Sequence, residues 1–280
     1  MGIRIVIDST SDVTEDIIKK HNIKMVPLTV NFGEESYMDK IELSSTEFFK
    51  KLVNAEKLPT TSQVSPGTFV ETFSEILLEG DQVLGIFLAP ELSGTYDSAR
   101  IAKNMIGSDN IRIIDSKSVC LGAFALILEA IELVEQGRQI DEIVEELEKA
   151  KEKIVAVAGL DTLKYLEKGG RLSKGQAVVG SLLNIKPMLE IKDGKLAVIE
   201  KVRGKNKTIK WFDEWIEKNE FDLSDKTLLL FYAQNYDQLK ILRETLESKY
   251  KIKNIIEQEV GAVIGTHSGP GVLGLGFLNK

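Results

Sequence analysis

The chain has 280 residues, 43% of them hydrophobic and 28% charged, which is the make-up of a folded globular protein with room for one large domain or two ordinary ones. Its formal net charge of -7 argues against general nucleic-acid binding, which depends on Lys and Arg neutralising phosphates. A single cysteine, Cys120, excludes an internal disulfide, and no stretch reaches the roughly 18 apolar residues of a membrane span, so a soluble, cytoplasmic protein without membrane insertion is expected.

The first half alternates strand and helix. Residues 3–7 form an apolar run that breaks at Asp8-Ser9-Thr10-Ser11. Thr14, followed by Glu15 and Asp16, has the hydroxyl and first-turn acids of a helix start. His21, in the charged end of that helix, is expected to be exposed. Residues 23–30 predict a strand and 46–54 a helix. Ser65-Pro66, a capping hydroxyl with proline at the first helical position, opens a helix to about Leu78. Residues 82–89 predict a strand, 90–94 a loop, then a helix to about Met105. A strand at 111–114 leads through Asp115-Ser116 into a long apolar helix, with Cys120 a small buried residue near its start. This rhythm predicts crossover units and a largely parallel sheet.

Residues 129–152 carry nine acids against three bases, and their second part reads as a solvated helix face. The pattern then restarts, so two α/β domains are predicted, 1–150 and 151–280. In the second, 154–160 is a strand and 161–168 a helix. Residues 186–192 and 195–202 form a hairpin about Asp193-Gly194, the favoured two-residue turn, which makes this sheet mixed. A helix carries Trp211 and Trp215. A strand at 227–233, a helix at 236–248 and a strand at 254–260 follow.

Four segments carry candidate chemistry. Thr60-Thr61-Ser62 places three hydroxyls ahead of the Ser65-Pro66 helix, where one would suffice as a cap, and hydroxyls beside free backbone N–H groups suit an anion. Ser93-Gly94-Thr95 follows the strand at 82–89, at the carboxyl edge where parallel sheets bind ligands; Gly94 would let backbone approach a ligand closely. His267 lies among small residues in Thr266-His267-Ser268-Gly269-Pro270-Gly271, read as a glycine-rich loop. Lys168 to Lys174, with Arg171, is a basic loop, and Lys201, Arg203, Lys205, Lys207 and Lys210 follow without an intervening acid, either a solvated face or a dock for an acidic partner. Asp8, Asp97 and Asp115 are unpaired candidate carboxylates. There is no dinucleotide fingerprint after the first strand, and no P-loop, nucleophile elbow or metal-spaced His/Cys set. An anion carrier, an acyl hydrolase with Ser93 as nucleophile and His267 as base, and a binding module for another anionic metabolite all fit these residues.

In chain order, Asp8-Ser9-Thr10-Ser11-Asp12, Thr61-Ser62-Gln63 with Ser65-Pro66, Leu92-Ser93-Gly94-Thr95-Tyr96, Ile114-Asp115-Ser116-Lys117, the run LKYLEKGGR ending at Arg171, Asn184-Ile185-Lys186-Pro187 and His267-Ser268-Gly269-Pro270-Gly271 resemble the signatures of the DegV family of bacterial fatty-acid-binding proteins. The resemblance covers nearly the whole chain. It implies a two-domain α/β carrier with no cofactor and no catalysis of its own. The bound ligand would be a long-chain fatty acid, its carboxylate held by Thr61 and Ser93 with Ser62, Gly94, Thr95 and His267 close by. The expected partner is a separate fatty acid kinase, which makes an acyl phosphate for phospholipid synthesis, with Arg171 and Arg203 handling phosphate or docking that kinase. A monomer is expected. Cys120-Leu121-Gly122-Ala123-Phe124 departs from relatives, which often carry more small residues there, so pocket width is not carried over.

Overall fold

The computed structural model describes residues 2–172 and 185–280. Strand β1 (Ile3–Asp8) leads through a 3-10 turn into helix α1 (Glu15–Lys20), then β2 (Lys24–Val26), β3 (Thr29–Phe32), β4 (Glu35–Met38), α2 (Ser45–Asn54), β5 (Thr60–Ser62) and α3 (Pro66–Leu78). Next come β6 (Gln82–Phe87), α4 (Thr95–Ile106), β7 (Ile111–Asp115), α5 (Leu121–Glu135) and α6 (Ile140–Ala150). The remainder comprises β8 (Ile154–Gly159), α7 (Lys164–Lys168), β9 (Ile185–Lys192), β10 (Lys195–Arg203), α8 (Lys205–Lys218), β11 (Thr227–Tyr232), α9 (Tyr236–Lys249), β12 (Asn254–Glu259), α10 (Ala262–Ser268) and β13 (Leu273–Leu278).

Among the described residues there are three sheets. β2-β1-β6-β7 is wholly parallel, as the strand–helix alternation requires. β10-β9-β8-β13-β11-β12 is mixed, with only β11 and β12 running parallel. β4-β3-β5 is a small antiparallel sheet. The run at 23–30, expected as one strand, divides at Pro27. Proline offers no N–H to a ladder and restricts the residue before it. β2 therefore stays in the parallel sheet, while β3 begins a separate one with Thr61 of β5 opposite Val30. Thr60, Thr61 and Ser62 accordingly lie in a strand and not in a helix start.

Two other expectations change locally. Thr14 stands at the cap position of α1 without a side-chain cap bond, and His21 is mostly covered, its Nδ1 3.1 Å from Glu135. Ser65 caps α3 as anticipated, accepting from the Thr68 N–H, and the Asp193-Gly194 turn has the two positive φ angles of its type.

β13 went unpredicted because glycine alternates with large residues along LGLGFL. Its two faces explain the pattern. Leu273, Leu275 and Phe277 enter the core beneath α8 and α9 with Phe212, Leu228 and Leu230. Gly274 and Gly276 face α5, where a Cβ would meet the Leu121 side chain at 2.7 and 2.8 Å. On the neighbouring strand Ala158 pairs with Gly274 and Ala156 with Gly276, so this face is built from the smallest residues. The larger core spans both major sheets, taking Val6, Phe87 and Phe124 with Leu189, Phe231 and Val260.

Candidate functional site

The carboxyl ends of β1, β6 and the segment after β7 open on a cavity of about 110 Å³, bounded on its other sides by β8, β9, β11, β13 and α10. Its wall is overwhelmingly apolar and includes Leu28, Leu88, Leu160, Leu189, Ile191, Phe231 and Val263. Thr61, Ser93, Arg171 and His267, far apart in sequence, all lie on it, as do Thr10 and Cys120. Ser62, Gly94, Thr95 and Arg203 are not among the lining residues.

His267 sits in the last turn of α10, not in a loop. Its Nε2 lies 2.9 Å from Thr61 Oγ1. Burial, and then the Arg171 charge, push its pKa from 6.5 down to about 4, so the imidazole is neutral at pH 7. With the ring proton on Nε2, that N–H donates to Thr61 Oγ1 and leaves the threonine O–H free to donate into the cavity. Nδ1, buried and without a partner among the described residues, is then a bare acceptor. The ring fits where it does because Gly169 has no side chain: a Cβ there would come within 2.3 Å of Nδ1.

Ser93 has the same kind of support. Its Oγ accepts from the Thr95 N–H at 3.3 Å and lies 3.0 Å from Thr95 Oγ1, which itself accepts from the Val64 N–H. When Thr95 donates, the Ser93 proton also turns to the cavity. Thr95 is thus fully buried behind Ser93. Gly94 is the N-cap of α4, and its open side is filled by the Gln63 amide, whose Oε1 would lie 2.2 Å from a Cβ there. Ser62 is exposed and accepts from Asn31 Nδ2.

Arg171 donates through Nε to the Leu92 carbonyl at 3.0 Å and through a terminal nitrogen to the Gly169 carbonyl at 2.6 Å. Those bonds hold the segment after α7 across the Ser93 loop. Arg203 ends β10 and is exposed with Lys201, Lys207 and Lys210. Ser173, Lys174 and Asn184 lie outside the described residues.

Sequence reasoning missed the lining role of Thr10 and Cys120. Asp8, raised by burial against the bonds it accepts, takes hydrogen bonds from Thr10 N–H, Thr10 Oγ1 and Leu88 N–H. It joins the ends of β1 and β6 and aims Thr10 at the cavity. Cys120 is buried at the N-cap of α5, its thiol pushed well up by burial and then by Asp12. Both follow strands at the carboxyl edge, a positional signal that was available. Among the described residues no cluster of three or more His, Cys, Asp or Glu is placed to hold a metal, and no helix is long and apolar enough to cross a membrane.

Comparison with known proteins matches the DegV family model to residues 2–280. A DegV domain-containing protein of Caldanaerobacter subterraneus is 38% identical over 278 residues, 99% of each chain. A DegV family protein from Thermus thermophilus, described in terms of its fatty acid binding, superposes with a TM-score of 0.93 at 32% identity over 100% of both chains. DegV of Bacillus subtilis, described as a fatty acid binding protein, gives 0.87 at 34% identity, again over 100% of both. With its parallel and mixed sheets, its apolar cavity and a family match from end to end, the chain belongs to the DegV family.

Proposed function

We propose that this protein carries one long-chain fatty acid, chain in the apolar cavity and carboxylate against Thr61 and Ser93, and presents it to a separate fatty acid kinase. The observation that carries the reading is an apolar cavity bordered by two hydroxyls, each within hydrogen-bond distance of a supporting side chain, His267 for Thr61 and Thr95 for Ser93. At roughly 0.8 kcal/mol per buried CH₂, a chain of about sixteen carbons supplies on the order of 12 kcal/mol of gross driving force. The polar groups then select for an acid, and the Arg171 charge adds attraction. Neutral hydroxyls leave a carboxylate oxygen nucleophilic, as needed if it is to attack the terminal phosphoryl group of a nucleoside triphosphate held by the kinase, displacing the nucleoside diphosphate and giving the acyl phosphate for phospholipid synthesis. The exposed row Lys201, Arg203 and Lys207 suits docking of an acidic surface, with Arg203 its centre. The carrier would act in the cytoplasm as a monomer, its amino-terminal part supplying the hydroxyls and one side of the acyl wall, and residues 151–280 the rest of the wall and His267.

Mass spectrometry of the purified protein, denatured after incubation with palmitate, is expected to give one fatty acid per chain; none would overturn the reading. Ser93→Ala and Thr61→Val are each expected to weaken fatty-acid binding roughly ten- to a hundred-fold, the loss of one hydrogen bond to a charged group. Arg203→Ala is expected to leave that affinity unchanged and to slow acyl-phosphate formation with the kinase. The hydrolase reading is less well served: His267 pairs with Thr61 and Ser93 with Thr95, and among the described residues no acid orients the imidazole.

A further inference from the structure

The start of α10 is gripped by side chains from three remote segments. The Gly261 N–H donates to Asp12 Oδ1 and the Ala262 N–H to Asp39 Oδ1, both at 2.9 Å. Lys40 Nζ lies 2.8 Å from the same Asp12 oxygen, and the Cys120 thiol donates to Asp12 Oδ2 at 3.4 Å. Asp12 and Asp39 are fully buried. Burial works against the Lys40 ammonium, but Asp12 outweighs it and holds the pKa above its ordinary value. The backbone is unusual at the same place: Asp12, Lys40 and Cys120 have φ of 54°, 64° and 54°. Positive φ is disfavoured for side-chain-bearing residues, persists only where surrounding contacts impose it, and gathers at sites with a task.

The rest of α10 explains what the grip is for. The helix has seven residues and so is about 10 Å long, a short rod with His267 near its far end. Gly265 brings it flat onto α2, where a Cβ would meet Phe48 at 2.6 Å and Phe49 at 2.9 Å. Such a smooth contact fixes the height of the rod above α2 but not its position along its own axis. Val263, Ile264 and His267 on the same rod face the cavity. A sliding error of 1 Å at the start reaches the imidazole undiminished and breaks a 2.9 Å bond to Thr61.

We propose that Asp12, Asp39 and Lys40 are positioning residues that set the axial register of α10, and through it the His267 to Thr61 bond that frees the threonine proton for the ligand. The ligand part of this rests on the fatty-acid reading above; the register part does not. The charged or titratable groups around the rod include Asp12, Asp39, Lys40 and Cys120 at its start, and Arg171 and Tyr165 at the His267 end.

The chain has only two histidines, His21 and His267, so the His267 ring is readily followed by NMR. Asp39→Ala is expected to shift its ring resonances, to raise its titration midpoint from about 4 towards 6.5 as water reaches the ring, and to weaken palmitate binding about tenfold. Asp39→Asn, which keeps an acceptor for the Ala262 N–H, is expected to hold all three near wild type. An Asp39→Ala protein that is folded, with an unmoved His267 titration, overturns the proposal. Should Asp39→Ala not fold, Lys40→Met is judged by the same readouts. If neither folds while Asp39→Asn does, the cluster serves stability alone and the proposal fails. Absence of palmitate binding in the wild type would refute the carrier reading, while the His267 titration would still decide the register.

Discussion

His267 and Asp39 titrate in opposite senses on folding. For His267 the folded pKa lies near 4 and the unfolded near 6.5, so as pH falls the unfolded chain takes up its proton first. Its contribution to stability is present above pH 6.5 and is lost as pH falls towards 4. Asp39 is raised from 3.8 to about 6 by burial and then by Asp12, so the folded chain keeps a proton that the unfolded chain releases. Its effect is a stability that declines as pH rises from about 4 to 6. The two oppose each other across that window. Urea titrations at pH 4.5 and 7 are expected to show a smaller acid-induced loss in His267→Asn than in wild type, and a larger one in Asp39→Asn. Equal pH slopes in all three proteins would contradict both assignments. The hydroxyls were legible as residues, since three in a row exceed what capping needs. Their partners were not: Thr61 and His267 are 206 positions apart, and Asp12 and Gly261 are 249 apart. No local pattern encodes such pairs. The anchoring carboxylates Asp12 and Asp39 stand just past a turn and a strand, positions that carry no sign of their remote partners.

At the level of elements, the small face of β8 and β13 keeps the cavity open. Val155 and Val157 on β8, like Leu273 and Leu275 on β13, point into the opposite core, so alternation puts Ala156, Ala158, Gly274 and Gly276 on the other face, where Ala158 and Gly274 line the cavity. Ala158→Leu adds a branched side chain to that floor without touching Thr61 or Ser93. It is expected to shorten the longest acyl chain bound by two or more carbons, with affinity for shorter acids retained, as read by competition across a series of saturated acids. An unchanged length profile would place the floor elsewhere. The helix starts at Ser65-Pro66 and the hairpin turn at Asp193-Gly194 were legible because their signals are local. β13 was not, because a strand half made of glycine has no propensity of its own and is held by pairing with β8 and β11. The break at Pro27 was visible in the sequence, but which sheet each half would join depended on distant partners.

For the whole molecule, one continuous core underlies both large sheets, and the cavity is cut into it. Filling the cavity replaces lost packing contacts, and a ligand that binds only the folded chain stabilises it by mass action. Saturating palmitate, at about 100 times its dissociation constant, is expected to add roughly 2.7 kcal/mol to the unfolding free energy. A rise in melting temperature that Ser93→Ala reduces at fixed palmitate would bear this out, and no rise would not be compatible with occupancy of the cavity.

The lodging of α10 among α2, β3 and β5 also orders events in time. The strand that carries Thr61 and the loop that carries Ser93 are made early on the ribosome, but their backing imidazole arrives some two hundred residues later. Closing so long a loop is slow compared with forming the helices it joins. In refolding, helical circular dichroism should therefore recover before the ability to take up palmitate. A nascent chain halted before residue 262 would present a greasy trough with no fixed end, so on the carrier reading proposed above competence to hold the acid would be a late property of the finished fold.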